Sequence, residues 1–157
     1  MSTNIKYILG DATNPLAKGN KIIVHICNTL GKWGKGFVMA VSKKWPKTRE
    51  EYLNWYNSRN NFNLGEVQFT QVSPVTCVGN MIGQQGIGTG SKGSPIRYDA
   101  VKKCLQTVAK KALETKASVH MPRIGCGLAG GKWEKIEPII KETLCDKGIE
   151  VYVYDKS

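Results

Sequence analysis

Three glycine-rich stretches divide this chain, and each lies between a short apolar run and a segment with helical periodicity. They cover residues 31–36, 83–93 and 125–131. The alternation of β-branched runs with helix-period segments predicts an α/β fold. Ligands of open α/β sheets bind beyond the carboxyl ends of the strands, and glycine lets a backbone approach a phosphate closely. The three loops together therefore predict a diphosphate-binding edge of the sheet, although one such loop alone serves a turn more often than a phosphate.

Periodicity also places the individual elements. Strands are predicted at residues 5–9, 21–27, 66–70, 75–82, 119–122 and 149–154. Helices are predicted at residues 37–44, 48–56 and 97–115, and a fourth helix carries Ile136, Ile139, Ile140 and Leu144 on one face. Pro138 lies inside this fourth pattern, so the helix either starts late or bends there.

Size and charge bound the class of protein. The 157 residues are expected to form a single domain over residues 1–157. No apolar run approaches the roughly 20 residues that span a bilayer, and the first residues lack the pattern of a secretion signal, so a cytoplasmic protein with no membrane partner is expected. The net charge of +11 would attract polyanions. Because the lysines are scattered, a solvated basic surface is at least as well supported as a nucleic-acid-binding patch.

The cysteines argue against a metal site. The chain contains five of them: Cys27, Cys77, Cys104, Cys126 and Cys145. None forms a C-x-x-C pair, so a zinc site or a thioredoxin-type motif is unsupported, and neither a metal nor another cofactor is expected. Their odd number and wide spacing are typical of reduced, mostly buried thiols in a cytosolic protein. Cys126 is interpreted as a small residue fitted into a tight loop rather than as a nucleophile, which would need a lowered pKa.

Two matches to G-x-G-x-x-G occur, at residues 88–93 and 125–130. The dinucleotide-binding fingerprint also requires a strand directly before it, a helix directly after it and an acidic residue about 20 positions on, at a strand end. The earlier match starts several residues after its strand, and its downstream acid, Glu114, lies in a predicted helix. The later match has Asp155 as a candidate acid, but no second half of such a fold follows. Neither a nicotinamide-dependent oxidoreductase nor, in the absence of a Walker A pattern, a P-loop enzyme is expected.

Several motifs together resemble the macro domain family. Residues 22–28 and 33–36, which read IIVHICN and WGKG, resemble its second strand and first binding loop. Residues 121–128, MPRIGCGL, resemble its second, phosphate-binding loop, and Gly10-Asp11 matches the pair after its first strand. The matches cover nearly the whole chain in order and resemble in particular the branch of the yeast-type ADP-ribose 1''-phosphate phosphatase and the terminal ADP-ribose protein glycohydrolase. The resemblance implies a three-layer α/β/α fold with a mixed central sheet and one ADP-ribose site.

The resemblance also implies roles for individual residues. Asp11, next to Ala12, would accept a hydrogen bond from the adenine amino group, Tyr154 would pack against the adenine, and Asn28 would bind the distal ribose. Backbone amides of two loops would wrap the diphosphate; these loops contain Gly34, Lys35, Gly36, Phe37 and Val38, and Ile124, Gly125, Cys126, Gly127 and Leu128. From the residues alone, Asp11 and Asn28 are also typical of turns, and Tyr154 is also typical of a core.

His25 is the candidate catalytic side chain, together with Asn28. Strand alternation turns His25 to the face opposite Val24 and Ile26, where a lone histidine is usually a core residue. By the resemblance, the matching position in the yeast-type phosphatase holds a histidine associated with activity, and histidine can act as a general base near neutral pH. The sequence leaves open whether His25 faces the cleft or the core.

The chain departs from the glycohydrolase pattern at two positions. Gln84 and Ala129 stand where that branch has a lysine after the fourth strand and an aspartate after the second loop. Glutamine cannot form a Schiff base and alanine cannot act as a base, so lysine-dependent removal of ADP-ribose from protein is disfavoured. Lys35 replaces a glycine that is common in the first loop, and it either adds charge near a terminal phosphate or lies in solvent.

The expected function is therefore hydrolysis of ADP-ribose 1''-phosphate to ADP-ribose and phosphate. Two alternatives are a non-catalytic reader of free or protein-linked ADP-ribose, and a hydrolase that releases ADP-ribose from macromolecules without the family lysine. The weakest alternative is binding of RNA or poly(ADP-ribose) through the basic surface, which would depend steeply on salt.

Overall fold

The computed structural model describes residues 2–87, 94–127 and 130–156, and these residues contain a six-stranded sheet. Its strands are β1 (Ile5–Leu9), β2 (Lys21–Asn28), β3 (Val67–Gln71), β4 (Thr76–Gln84), β5 (Ser118–Met121) and β6 (Val151–Asp155). Their order across the sheet is β1-β6-β5-β2-β4-β3. Neighbouring strands run parallel except for β3 and β4, which are antiparallel. The central sheet is therefore mixed, as expected.

Helices cover both faces of this sheet. They are α1 (Phe37–Lys44), α2 (Pro46–Ser58), α3 (Tyr98–Thr115) and α4 (Trp133–Thr143), with a short 3₁₀ helix at Cys145–Lys147. Alternate residues of a strand point to opposite faces, so Ile22 and Val24 of β2 pack with α3 and α4, while Ile23 and Cys27 pack with α1 and α2. The predicted three-layer α/β/α architecture is confirmed. No helix in the described part of the chain is both long and apolar enough to cross a membrane.

Pro138 does not delay the fourth helix. Helix α4 begins at Trp133 and continues through Pro138, so the interpretation of a late start is wrong. Proline removes one backbone hydrogen bond from a helix interior. Ile136 and Ile140, on either side of it, are both fully buried. Their burial stabilises the helix at this point in spite of the proline.

All five cysteines are free thiols, and four of them are buried. The exception is Cys126, which is partly exposed in the loop after β5. Burial raises the pKa of each thiol. The thiols are therefore protonated at neutral pH, the unreactive form.

Candidate functional site

A cleft lies at the carboxyl ends of β2, β5 and β6, where two chambers adjoin. The β2 chamber, of about 260 Å³, is lined by His25, Ile26, Lys35, Gly36, Phe37, Val38, Gln84, Pro122, Arg123, Ile124, Gly125 and Gly127. The β6 chamber, of about 490 Å³, is lined by Gly10, Ala12, Gly36, Phe37, Ala40, Pro122, Arg123, Tyr154, Asp155 and Lys156. Because Gly36, Phe37, Pro122 and Arg123 line both, the chambers form one elongated cleft.

Most of the residues predicted for the site meet in this cleft. Asp11, Gly34 and Cys126 do not line it, but each is next in sequence to a residue that does. Asn28 lies beside it, paired in the sheet with Gln84 of the β2 chamber. Leu128, predicted to bind the diphosphate, lies outside the described residues, and so does Ala129.

A cavity at the opposite edge of the sheet is less suited to a ligand of this fold. It has a volume of about 440 Å³ and is lined by Lys18, Ser118 and Tyr152, among others. It lies at the amino ends of the strands, whereas open α/β sheets bind ligands beyond the carboxyl ends. The glycine-rich stretches at residues 31–36 and 125–131 and the start of α1 border the cleft, which is therefore the candidate site. Residues 88–93 of the remaining stretch lie outside the described residues.

The first loop ends at the N-terminus of α1, which faces both chambers. Gly36, the residue before the helix, has φ 80° and ψ −147°, a conformation almost restricted to glycine. No side chain caps this end of the helix in the described structure. The first N–H groups of the helix, those of Phe37 and Val38, are therefore available as donors. With the positive end of the helix dipole, they can bind a phosphate group.

The second loop is closed by its own backbone. The N–H of Gly131 donates to the carbonyl of Gly125 over 2.7 Å. A Cβ atom on Gly131 would lie only 2.4 Å from that carbonyl oxygen, so glycine is required there. Gly125 has φ +74°, a further conformation that favours glycine. Cys126 donates through Sγ to the carbonyl of Ile124 over 3.4 Å and is a loop residue, as interpreted from the sequence.

Asp11 provides a carboxylate beside the β6 chamber. Its Oδ1 atom accepts hydrogen bonds from the backbone N–H and the hydroxyl of Thr13, over 2.8 and 2.7 Å. Burial alone would raise the pKa of Asp11, but these two hydrogen bonds and the nearby Lys156 and Lys44 lower it overall. Its Oδ2 atom makes no hydrogen bond to any described residue. Asp11 thus forms the predicted turn and still has an oxygen that can accept a hydrogen bond from a ligand.

Tyr154 forms part of the wall of the β6 chamber and is almost fully buried. Its hydroxyl accepts a hydrogen bond from the backbone N–H of Leu16 over 3.2 Å and lies 2.8 Å from His120 Nδ1. These contacts fix the orientation of the ring. Tyr154 is therefore a rigid aromatic surface at this end of the cleft, and it belongs to the core as well.

Arg123 lies on the wall shared by both chambers, and sequence reasoning gave it no role. Its Nε and Nη2 atoms donate to the two carboxylate oxygens of Asp155 over 2.6 and 3.0 Å. The guanidinium also lies over the rings of Tyr7 and Trp133, 5.1 Å from each centroid. Arg123 follows β5 and Asp155 ends β6, so only the adjacency of these two strands brings the pair together. The sequence carries no signal for that adjacency.

His25 belongs to both the cleft and the core. It lines the β2 chamber, yet it is only 2% exposed and its ring lies against those of Trp33 and Phe37. Nε2 lies 2.6 Å from Asn80 Oδ1, whereas Nδ1 has no hydrogen-bond partner among the described residues. Burial lowers the pKa of His25 to about 4, and the hydrogen bond to Asn80 offsets this only in part. The ring is therefore neutral at pH 7.

Asn28 ends β2 and holds the loop that follows. Its Oδ1 atom accepts hydrogen bonds from the backbone N–H groups of Leu30 and Lys32, over 2.9 and 3.1 Å. Its Nδ2 atom donates to the Lys32 carbonyl over 2.9 Å, which leaves one N–H for another acceptor. The hydroxyl of Tyr52 donates to the Asn28 carbonyl over 2.6 Å. The side chain is thus a turn residue, as the alternative interpretation of the sequence had it, with one donor to spare.

Tyr52→Phe is expected to lower the free energy of unfolding by about 1–3 kcal/mol, because the buried Asn28 carbonyl loses its hydroxyl donor. Tyr52 is fully buried, so water cannot replace that donor. Tyr56→Phe, on the same helix, is the matched control, since the Tyr56 hydroxyl has no hydrogen bond within the described residues. Urea denaturation of both variants measures the difference, and equal losses would contradict this role of Tyr52.

The two buried histidines are expected to make stability depend on pH. Burial lowers the pKa of both His25 and His120 to about 4, and the charge of Lys21 adds to the effect at His120. A histidine in the unfolded chain titrates near 6.5, so between these values the unfolded state binds protons that the folded state does not. The free energy of unfolding should therefore be largest above about pH 6.5 and fall toward pH 4, with a slope from two histidines of up to about 2.7 kcal/mol per pH unit.

Urea denaturation at several pH values between these limits tests this expectation. The carboxylates with lowered pKa values, Asp11, Glu137 and Asp155, contribute with the same sign at lower pH. A variant with glutamine at positions 25 and 120 separates the two contributions, because it lacks both histidines. Its slope should be shallower than that of the unchanged protein between pH 6.5 and 5, and identical slopes would be evidence against buried neutral histidines.

Lys35 and Gln84 complete the wall of the β2 chamber. Lys35 is exposed, and it makes no salt bridge to any described residue. Gln84 donates through Nε2 to the Gly86 carbonyl over 2.9 Å. Its Oε1 atom accepts no hydrogen bond from a described residue. The chamber therefore offers a positive charge and a neutral amide, but no amine nucleophile at position 84.

Comparison with known proteins identifies relatives of the same fold. The family described as Macro domain matches residues 24–140. A solved structure of a Bacteroides thetaiotaomicron protein of unknown function is 60% identical, with a TM-score of 0.95 over 97% of this chain and 98% of that chain. A macrodomain protein from Streptomyces coelicolor is 51% identical, with a TM-score of 0.88 over 98% and 100% of the two chains.

The curated relatives are more distant. ADP-ribose 1''-phosphate phosphatase from Candida albicans is 27% identical over 88% of this chain and 92% of the relative. Chromodomain-helicase-DNA-binding protein 1-like from Danio rerio is 32% identical over 97% of this chain, but the chain spans only 16% of that relative. Since the family match alone covers well over half of the chain, this protein belongs to the macro domain family.

Proposed function

We propose that residues 1–157 act as a single cytoplasmic domain that binds ADP-ribose in the cleft and hydrolyses ADP-ribose 1''-phosphate to ADP-ribose and phosphate. The observation that carries the proposal is the elongated cleft itself. It has an uncapped helix start at its centre and a buried, neutral histidine at one end. The likeness to the Candida albicans phosphatase, which extends over most of both chains, supports the same activity.

In the proposed complex, the groups of ADP-ribose follow one another along the cleft. Adenine would lie in the β6 chamber, with its amino group on Asp11 Oδ2 and its ring against Tyr154. The diphosphate would lie where the chambers join, bound by backbone N–H groups of the first loop (Gly34–Val38) and of the second (Ile124–Leu128). The distal ribose and its terminal phosphate would occupy the β2 chamber, near the remaining N–H of Asn28. Ala12 would pack beside the adenine.

The chemistry proposed is attack of water on the terminal phosphorus. A bond forms between the water oxygen and phosphorus, the bond from phosphorus to the anomeric oxygen breaks, and ADP-ribose leaves with that oxygen protonated from solvent. His25 would accept the proton of the attacking water, since it is unprotonated at pH 7. With a pKa of about 4 it is a weak base, but the negative charge of a bound phosphate raises the pKa of a neighbouring histidine. Lys35 would stabilise the charge on the phosphate.

The test is to incubate the purified protein with ADP-ribose 1''-phosphate and follow the reaction by phosphorus NMR. The proposal predicts loss of the phosphomonoester signal and appearance of inorganic phosphate, with the diphosphate signals retained. Shifts of the ligand signals without release of phosphate would overturn the hydrolytic part of the proposal. Absence of any binding would overturn the whole of it.

A second candidate is a reader of free or macromolecule-linked ADP-ribose that does not turn its ligand over. The observation in its favour is Gln84, an amide on the chamber wall where a glycohydrolase would need a lysine. A hydrolase of linked ADP-ribose that uses another route is distinguished by release of ADP-ribose from a modified protein. Binding through phosphate charge alone, as to RNA or poly(ADP-ribose), would weaken steeply with salt.

A further inference from the structure

A line of polar side chains crosses the sheet beneath the β2 chamber. His25 on β2, Asn80 on β4 and Gln68 on β3 are register partners on three adjacent strands. Asn80 is fully buried and His25 is 2% exposed, and their neighbours on the same face include the buried apolar residues Ile23, Val78 and Ile82. Burying a polar side chain lowers the stability of the fold unless the side chain has a hydrogen-bond partner. The hydrogen bonds within this line are therefore informative.

The direction of each hydrogen bond in the line is determined by its far end. Gln68 Nε2 lies 2.8 Å from the backbone carbonyl of Glu51 on α2, and a carbonyl can only accept. Gln68 must therefore present its amide oxygen to Asn80, whose Nδ2 donates to it over 3.0 Å. That leaves Asn80 Oδ1 facing His25 Nε2 at 2.6 Å. Since Oδ1 is an acceptor, Nε2 must carry the hydrogen.

We propose that Asn80 and Gln68 are positioning residues that hold His25 in its Nε2–H tautomer, so that Nδ1 is the atom that accepts a proton in the reaction. This inference rests on the proposed hydrolysis for its chemical consequence, but the tautomer itself does not depend on it. Nδ1 is buried and has no partner among the described residues. An acceptor nitrogen left without a donor is the atom for which a water molecule or a ligand group supplies the missing hydrogen.

Among the side chains around His25, Asn80 is the one that sets the tautomer of the imidazole. The titratable side chains from the elements around it are Cys27 on β2, Tyr52 and Glu51 on α2, Lys35 in the first loop and Arg123 beyond β5. Burial raises the pKa of both Cys27 and Tyr52, so both are neutral at pH 7. The Glu51 carboxylate accepts from Thr70, and Lys35 and Arg123 lie on the chamber wall. None of these side chains hydrogen-bonds to the imidazole among the described residues.

The first test is long-range ¹H–¹⁵N NMR of the ligand-free protein, which identifies the protonated nitrogen of each histidine. The proposal expects His25 to be the Nε2–H tautomer throughout the range from neutral to mildly acidic pH. In Gln68→Leu, the side-chain amide of Asn80 can rotate by half a turn and present either its oxygen or its nitrogen to His25. A mixture of His25 tautomers is therefore expected. Gln71→Leu is the matched control on the same strand, because Gln71 is exposed and, among the described residues, its side chain hydrogen-bonds only to the Ser73 carbonyl. It should leave the His25 spectrum unchanged.

The second test is the pH profile of kcat/KM in Asn80→Asp. A carboxylate in place of the amide would stabilise the imidazolium, so the His25 titration and the acidic limb of the profile should move up together by about 1–3 pH units. In Gln68→Leu, kcat should fall in proportion to the fraction of the Nδ1–H tautomer that the NMR spectrum measures, with KM little changed, since that tautomer presents no acceptor.

An Nδ1–H tautomer in the unchanged protein would overturn the inference, as would an unshifted His25 titration in a folded Asn80→Asp. If Asn80→Asp does not fold, the spectra of the unchanged protein and of Gln68→Leu decide the question. Failure of the proposed function looks different, because the protein would then have the Nε2–H tautomer and yet neither bind ADP-ribose nor release phosphate.

Discussion

His25→Gln is expected to lower phosphate release from ADP-ribose 1''-phosphate by about 10²–10⁴-fold, the range for loss of a general base. Glutamine retains an N–H that can donate to Asn80 Oδ1, so the line of hydrogen bonds through Asn80 and Gln68 survives. It cannot accept a proton at neutral pH. The affinity for ADP-ribose should remain nearly unchanged, because the loops that bind the diphosphate are not altered. Phosphorus NMR of turnover and calorimetry of ADP-ribose binding measure the two effects separately.

His120→Gln is the matched control for this prediction. His120 is also buried, and its pKa is likewise lowered by burial to about 4, but it does not line either chamber. It should lose stability, and because His120 contacts the hydroxyl of Tyr154 its KM should rise, but kcat per folded molecule at saturating substrate should not fall comparably. Equal losses in the two variants would mean that a buried histidine matters only for folding, and the catalytic assignment of His25 would then fail.

Gly131→Ala is expected to lower both the stability of the fold and the affinity for ADP-ribose. The added Cβ would lie 2.4 Å from the Gly125 carbonyl oxygen, which is backbone and cannot move without opening the loop. The hydrogen bond from the Gly131 N–H to that oxygen would also be lost. We expect a loss of about 2–3 kcal/mol in the free energy of unfolding. ADP-ribose affinity should fall by about a hundredfold, since two amide contacts to a charged group contribute that much.

Gly127→Ala is the control for the stability part of this prediction. It lies in the same loop, but a Cβ atom at Gly127 meets no atom of the described residues within 4 Å. Its unfolding free energy, measured by urea denaturation, should change by less than about 1 kcal/mol. If Gly131→Ala is as stable as Gly127→Ala, the closed geometry of the second loop is not required for the fold.

The strands and helices could be predicted from the sequence because each carries its own period. Val24 and Ile22 alternate with Ile23 along β2, and α3 repeats its apolar residues at helical spacing, so neither needs information from elsewhere in the chain. The order of the strands in the sheet could not be predicted in this way. It is determined by packing between distant segments, and the antiparallel edge strand β3 has no local signature that separates it from a parallel one.

The same distinction applies to the candidate site: positions set by local backbone geometry were predictable, and contacts between neighbouring strands were not. The glycine loops were predictable because glycine at Gly36 and Gly125 is required by local backbone geometry. The orientation and chemistry of His25 were not, because they depend on Asn80 of a neighbouring strand and on Gln68 of the next one. Arg123 was missed for the same reason, as its partner Asp155 is adjacent in the sheet and not in the sequence.

The most direct test of the central claim is a crystal structure of this protein with ADP-ribose. The account predicts adenine in the β6 chamber with its amino group on Asp11, the diphosphate against the amides of Gly36 to Val38 and of Gly125 to Gly127, and the distal ribose beside His25. A ligand bound at the opposite edge of the sheet, or a cleft that remains empty at saturating ADP-ribose, would contradict it.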